Sequence, residues 1–205
     1  MSAINSPRGG NRSAQRSART QRGMAAVEFG MLAMFFFTMV FGIIEMARAM
    51  YICNTLQEVT RLAAAGAANA DFTNASAMQK VRQAAIFRDS PGNLVFADPI
   101  SDQYVRIDYM YIPLNATAPV AVTGSLPASP EANRINCLRD ANAATCLRLV
   151  RARICVPGDA ATCTPVPYTT LVSMIDFAFP LPTSTTIAKI ETLGMAPKVP
   201  PSCGC

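Results

Sequence analysis

The feature that most constrains this chain is an apolar run near its N-terminus, Met24 to Ile44, in which Glu28 is the one charged residue. As a helix these 21 residues would be roughly 31 Å long, close to the hydrocarbon thickness of a bilayer. A carboxylate in such a run is costly in lipid unless a cation compensates it. The run therefore predicts a membrane-spanning helix, and Glu28 requires a separate explanation.

The charge of the chain is concentrated at its N-terminus. Residues 1–23 contain five arginines and no acid, whereas the remaining residues hold 13 basic and 13 acidic side chains. Such a polar tail has too few apolar residues to fold alone, and a basic tail before an apolar run indicates a cytoplasmic N-terminus. The net charge of +5 comes from this tail, so it indicates a cytoplasmic leader next to membrane lipid. It does not predict nucleic acid as a partner.

A helical pattern continues beyond the apolar run. The segment that follows is apolar on one face, at Ile52, Leu56, Val59 and Ala63. Because no proline occurs between Pro7 and Pro91, nothing forces a break. We expect one helix over about residues 24–68, roughly 65 Å long. Its first half would be apolar on all sides and its second half amphipathic.

The remaining chain predicts a second, shorter helix and a small antiparallel sheet, an α+β arrangement. The helix is expected near Ala75 to Phe87. Period-two alternation predicts strands over 103–112 and 147–156, with a loop over 113–130 between them, and a further strand near Val166 to Phe179. Residues 181–194 are expected to add a last short strand or turn.

The seven cysteines indicate an extracytoplasmic domain held by disulfides. Cys53 follows the apolar run, and six cysteines lie in the last third of the chain: Cys137, Cys146, Cys155, Cys163, Cys203 and Cys205. No CxxC occurs, which disfavours a structural zinc site. Local spacing favours the bridges 137–146 and 155–163, the first enclosing a short helical or looped insert. Six cysteines allow 15 connectivities, so Cys203 and Cys205 remain unassigned.

No catalytic constellation emerges from the sequence. The chain has no histidine, which excludes Ser-His-Asp and Cys-His catalysis and removes the commonest metal ligand. Asp98, Asp102 and Asp108 are close in sequence, but they fall in a predicted loop and strand, where we expect solvated carboxylates. We predict neither an enzyme nor a cofactor or metal site.

The stretch "RGMAAVEF", Arg22 to Phe29, carries a family resemblance. A basic tail, a glycine and a glutamate fifth after that glycine resemble the processing signal of type IV prepilins. Residues 23–66, with "AAVEF", "GIIE" and "RLAAAG", are similar to the TadE-like family of pilus-assembly pseudopilins. The "FTLIE" start of type II secretion pseudopilins is absent. The resemblance covers about a fifth of the chain and leaves residues 69–205 uncovered.

The resemblance implies roles for four residues at the start of the helix. A membrane-embedded prepilin peptidase would cut between Gly23 and Met24. Glu28, with Phe29 beside it, would act in assembly and registry, because the carboxylate compensates the new N-terminal amine of a neighbouring subunit inside the packed helical core. Whether Met24 is methylated is left open.

The resemblance also implies a function: a minor pseudopilin that initiates or caps a tight-adherence (Flp, type IVb) pilus. The chain would have three segments. Residues 1–23 would be a leader, residues 24–68 a long helix and residues 69–205 a periplasmic α+β domain. Residues 24–44 of the helix would span the inner membrane. The implied partners are the prepilin peptidase, the major pilin, other pseudopilins and the inner-membrane assembly platform. The protein would be carried to the cell surface if it enters the pilus.

Three alternatives remain open. The apolar run would also serve as a plain, uncleaved signal anchor. Ala47-Arg48-Ala49 fits the A-x-A pattern of an ordinary signal peptide, with cleavage before Met50. A signal-anchored periplasmic or surface binding module unconnected to pili is the alternative from another functional class.

Overall fold

The structure is a computed structural model that describes residues 13–158, 162–171 and 179–195, with side chains from Gly23 onward. Its elements are α1 (Ser13–Asn69), α2 (Ala75–Ala85), β1 (Val105–Tyr111), β2 (Val120–Ala121), α3 (Pro130–Arg139), β3 (Leu149–Ile154) and β4 (Thr185–Lys189). A 3-10 turn, Asp102–Tyr104, precedes β1. The predicted α+β class is confirmed. Cys203 and Cys205 lie outside the described residues.

Helix α1 is longer than predicted. It ends at Asn69, as expected, but it begins at Ser13, before the predicted start near Met24. The predicted helix is confirmed over residues 24–68, and it extends further toward the N-terminus because residues 13–22, although polar, contain no proline and are mainly alanine, glutamine and arginine, which favour helix. Extending a helix that the apolar run has nucleated requires only local propensity.

The predicted second helix is confirmed as α2. The side-chain oxygen of Asn74 caps it by accepting hydrogen bonds from the backbone N–H groups of Ser76 and Ala77, both at 3.1 Å. Helix α2 packs closely on α1 at Gly66, where an added Cβ would lie 3.0 Å from Cγ1 of Val81. The absent side chain of Gly66 therefore permits this approach.

The chain divides into two compact units, Met1–Met46 and Ala47–Cys205, and the second contains the hydrophobic core. The predicted apolar face of α1 is confirmed, since its four residues are at most 1% exposed: Ile52, Leu56, Val59 and Ala63. They share one core cluster with Val105 of β1 and with Ala152 and Ile154 of β3. Full burial of a large aliphatic side chain contributes about 1.5–3 kcal/mol.

The four strands form one antiparallel sheet in the order β2-β1-β3-β4. The predicted alternation of β3 is confirmed: Val150, Ala152 and Ile154 are buried, and Arg151 and Arg153 face the other side. On the core face, the hydroxyl of Tyr109 donates to the carbonyl of Ala67 at 3.3 Å, which ties β1 to the last turns of α1. Burial raises the pKa of this phenol.

Two loop predictions need correction. The loop expected over 113–130 contains β2, which pairs with the end of β1. The helical insert expected between Cys137 and Cys146 is α3, which begins earlier, at Pro130, and ends at Arg139. Ser129 sets this start, because its hydroxyl accepts from the backbone N–H of Ala132 at 3.1 Å and proline suits the first helical position.

The strand predicted from Val166 to Phe179 is absent from its described part. Residues 172–178 lie outside the described residues, and the flanking chain forms a single bridge between Pro167 and Pro180. Proline has no N–H to donate to a ladder, so neither Pro167 nor Pro180 can donate a backbone hydrogen bond at this bridge. The last strand expected after Leu181 is β4.

Candidate functional site: a processing and assembly helix

Gly23 and Met24 lie inside α1, with Met24 63% exposed. Nothing lies within 4 Å of the position a Cβ on Gly23 would occupy, so packing within this chain does not require a glycine there. A protease binds an extended segment, which means that cleavage at this bond requires the helix to open locally. Glycine is the weakest helix former after proline, by about 1 kcal/mol relative to alanine, so it marks a place where α1 opens readily.

Glu28 and Phe29 are both exposed on α1, Phe29 by 73%. Among the residues that the structure describes, Glu28 has no hydrogen-bond or ion-pair partner. Glu28 is the fifth residue after Gly23, which places it about 7.5 Å further along the helix axis and on a different side of the helix. The carboxylate therefore faces outward from this chain, toward whatever surrounds the helix.

Between Met24 and Ile44, the side chains of α1 are mostly exposed, and all are apolar except those of Glu28 and Thr38. Among the described residues, α1 is the one helix that is long and apolar enough to cross a membrane. The side-chain hydroxyl of Thr38 donates a hydrogen bond to the carbonyl of Met34 at 2.8 Å, so this hydroxyl is satisfied within the helix. The rings of Phe36 and Phe37 meet edge to face at 5.5 Å. The helix thus offers apolar side chains to lipid or to other helices, and Glu28 is the one charged group among them.

Arg48 organises two loops of the second unit. Its Nε donates to the carbonyl of Phe96 at 2.9 Å, and its Nη1 donates to the carbonyl of Thr169 at 2.6 Å. The guanidinium also lies 5.3 Å from the centre of the Tyr168 ring, a cation–π contact. The five N–H donors of a guanidinium lie in one fixed plane, so one arginine can hold chain segments that are far apart in sequence.

The outer face of the sheet carries an ionic cluster that the sequence prediction missed. Asp108 accepts hydrogen bonds from Arg106 at 3.0 Å, Arg151 at 3.0 Å and Arg153 at 2.5 Å. Its side chain is only 13% exposed. Burial opposes ionisation, but the hydrogen bonds from the three arginines outweigh it and hold the pKa of Asp108 below its ordinary value.

The expectation of a solvated carboxylate was therefore wrong for Asp108. The pattern that could have revealed the cluster is Arg-x-Asp in β1 together with Arg-x-Arg in β3, since each places its charges on one face of a strand. Antiparallel pairing of Asp108 with Arg151 then brings the two sets together. The cluster stabilises the side of the sheet opposite the core.

Asp102 is likewise not solvated. It is 4% exposed, and its carboxylate accepts hydrogen bonds from Gln79 at 3.1 Å and from the backbone N–H of Gly92 at 3.4 Å. It lines a cavity of about 400 Å3 together with Arg82 and Arg106. No group of three potential metal ligands occurs among the described residues. Asp102 links α2 to the turn before β1 through its hydrogen bond with Gln79.

The described domain contains two local disulfides, Cys137–Cys146 and Cys155–Cys163, with Cα–Cα distances of 4.7 and 5.0 Å. These are the pairs that sequence spacing favours. The first joins the end of α3 to the chain entering β3, and the second closes the loop that leaves β3. Cys53, on α1, is a free thiol. Both bridges thus brace the ends of the central strand β3.

Most of helix α1 matches a known protein family. Residues 23–65 match the family model described as TadE-like protein. The resemblance predicted from the sequence is confirmed over this segment. No curated protein and no solved structure is significantly similar to the chain.

The TadE-like segment begins at Gly23 and ends inside the amphipathic half of α1. It therefore includes the candidate processing residues, the apolar run and the whole of the buried face at Ile52 to Ala63. A TadE-like segment indicates a function connected with the tight-adherence pilus. The sheet, α3 and both disulfides lie beyond the matched segment.

Proposed function

We propose that this protein is a minor pseudopilin that takes part in initiating or capping a tight-adherence type IVb pilus after cleavage by prepilin peptidase. The observation that carries the proposal is the TadE-like match, which begins at Gly23, the residue after which the cut is expected. The leader stays in the cytoplasm, the apolar run spans the inner membrane, and the disulfide-bonded domain faces the periplasm.

Cleavage converts α1 from an anchor into an assembly helix. Removal of residues 1–23 leaves Met24 with a free amine, which carries a positive charge near neutral pH. The exposed carboxylate of Glu28, which has no partner among the described residues, binds the amine of a neighbouring subunit. An unpaired carboxylate in hydrocarbon is costly, so this pairing favours association and fixes the relative height of two helices.

The exposed apolar side chains of α1, with Phe29 next to Glu28, supply the packing between helices. The partners are the major pilin and other pseudopilins, and the assembly platform in the inner membrane handles the processed subunit. The protein is in this proposal the substrate of an enzyme and a structural component, without catalytic activity of its own.

The decisive experiment identifies the first residue of the protein. The full chain is expressed, extracted from membranes and analysed by mass spectrometry to determine its N-terminus. Expression with an active prepilin peptidase should give a protein that starts at Met24, and expression without the peptidase should give the full leader. A start at Met1 in both strains would indicate a plain anchor, and a start at Met50 would indicate an ordinary signal peptide. Either result would overturn the proposal.

A pair of glycine variants tests the specificity of the cut. Gly23→Ala should retain the leader, because a Cβ obstructs entry of the segment into the protease cleft. Gly30→Ala is the matched control, since this glycine lies in the same helix and also has open space around its Cβ position. Gly30→Ala should be cleaved normally, and equal cleavage of both variants would contradict the proposed site.

A further inference from the structure

Two apolar side chains stand at the tip of a turn in the second unit. The backbone N–H of Ala97 donates to the carbonyl of Leu94 at 3.1 Å, which closes a four-residue turn. Its first and last residues are buried, with Leu94 2% and Ala97 0% exposed. Its central residues, Val95 and Phe96, are 52% and 68% exposed. The turn is thus rooted in the core and presents an apolar tip.

The backbone at this tip is unfavourable for its residue. Phe96 has φ of 58°, in the left-handed region where a turn normally places glycine or asparagine. A bulky residue in this conformation is an outlier that the surrounding structure must maintain. Arg48 maintains it, because its Nε donates to the carbonyl of Phe96. Folding of the turn does not benefit from an exposed phenylalanine, so an apolar environment for the ring is the better explanation.

The position of Arg48 indicates what that environment is. Arg48 follows the last residue of the apolar run, Ile44, by four residues of one continuous helix, or about 6 Å. In the second unit, two residues of α1 near Arg48 are exposed and apolar: Met50 is 63% exposed and Tyr51 is 44% exposed. The ring of Phe96 contacts the Tyr51 ring edge to face at 6.5 Å. Tyr51 and the tip of the turn therefore form one apolar surface within the second unit.

We propose that the Val95–Phe96 tip, held by Arg48 against Tyr51, inserts into the headgroup region of the bilayer on the periplasmic side. The inference rests on the membrane anchoring in the proposed function. Aromatic side chains prefer this interface, and an apolar surface there is buried by about 5–10 Å at the boundary between headgroups and acyl chains. The lipid surface is the partner, and the tip fixes how the domain sits on the membrane before the subunit is extracted.

The chain contains no tryptophan, so single tryptophan variants report local environment without background. The full chain, one copy per phospholipid nanodisc, would be prepared as Phe96→Trp. Leu138→Trp is the control for an exposed apolar residue far from Arg48. Leu138 lies on α3 and is 81% exposed. Phe36→Trp is the control for the membrane span. Lipids brominated near the headgroup or deep in the acyl chain quench tryptophan that touches them.

The Phe96→Trp variant should lose about half or more of its emission to shallow-brominated lipid, because its ring lies at the interface. The Leu138→Trp variant should be unaffected, and the Phe36→Trp variant should be quenched most by deep bromine. Quenching of Phe36→Trp without quenching of Phe96→Trp would overturn this inference and leave the anchor intact. Absence of lipid quenching in Phe36→Trp would overturn the membrane anchoring itself. Protection of Phe96→Trp from acrylamide without lipid quenching would indicate protein contact and also reject the lipid surface.

Discussion

Arg106 and Asp108 lie two residues apart on the outer face of β1, and their side chains form an ion pair at 3.0 Å. The register of the sheet adds Arg151 and Arg153 from β3 to the same carboxylate. One acid thus separates three cations that would otherwise repel one another on adjacent strands. The arrangement makes Asp108 the residue on which this face of the sheet depends.

We expect Asp108→Asn to destabilise the domain. The variant removes the charge that three arginines share, and hydrogen bonds to charged groups contribute about 1.5–3 kcal/mol each in comparable settings. A loss of about 2 kcal/mol would lower Tm by about 4–8 °C in a domain of this size, measured on the detergent-solubilised full chain. Glu58→Gln is the control, because it breaks an exposed ion pair with Arg61 at 2.7 Å. An equal shift in both variants would refute the special role of Asp108.

The stability of the domain should depend on pH through the same carboxylate. The pKa of Asp108 is below its ordinary value of 3.8 in the folded protein, so the unfolded state binds the proton more readily. The stabilisation is therefore present above about pH 4 and is lost as the pH falls through the lower folded pKa. Tm should fall less steeply between about pH 5 and pH 2 in Asp108→Asn than in the parent protein. Identical slopes would show that other groups govern acid unfolding.

The two disulfides should be visible in a tryptic digest without reduction. Cleavage after Arg139 and Arg148 should leave the peptide Ile135–Arg139 linked to the peptide Asp140–Arg148. The second bridge should appear as an internal loop within Ile154–Lys189, which contains both of its cysteines. A mass that links peptides of different bridges would contradict this pairing.

Removal of either bridge should destabilise the domain. Loops of this length give about 2.5 kcal/mol each in the chain-entropy treatment of crosslinks. The double variant Cys155→Ser with Cys163→Ser should therefore lower Tm by about 5–10 °C. Cys53→Ser is the control, because this thiol is free and on α1. A comparable loss in Cys53→Ser would mean that thiol packing, and not the crosslink, accounts for the effect.

We expect Glu28→Gln to separate processing from assembly. The variant keeps the size of the side chain and the glycine before Met24, so the leader should be removed normally. It removes the charge that would bind a neighbouring amine, so pilus formation, counted by electron microscopy in cells that carry only this copy, should fall sharply. Glu58→Gln, on the amphipathic half of α1, should assemble normally. Normal pili with Glu28→Gln would remove the pairing role from the proposal.

Patterns within one element were predictable from the sequence. The apolar run and the face at Ile52, Leu56, Val59 and Ala63 follow from helical spacing, and the buried side of β3 follows from period-two alternation. The close cysteine pairs followed from short loops, and the TadE-like resemblance followed from a motif of eight residues around Gly23. In each case the residues that interact or recur are neighbours along the chain, so the pattern itself contains the geometry.

Tertiary structure alone decided which distant side chains meet. Asp108 lies 43 residues from Arg151, and Arg48 lies 121 residues from the carbonyl of Thr169 that it binds. Charges at such separations look like independent solvated groups until strand register and loop packing bring them together. The sequence by itself determined a long apolar helix and its amphipathic face, because short-range periodicity encodes them, and the TadE-like resemblance, because its motif is local. The ionic cluster and the turn held by Arg48 arose only on folding, because both depend on contacts between segments with no shared local pattern.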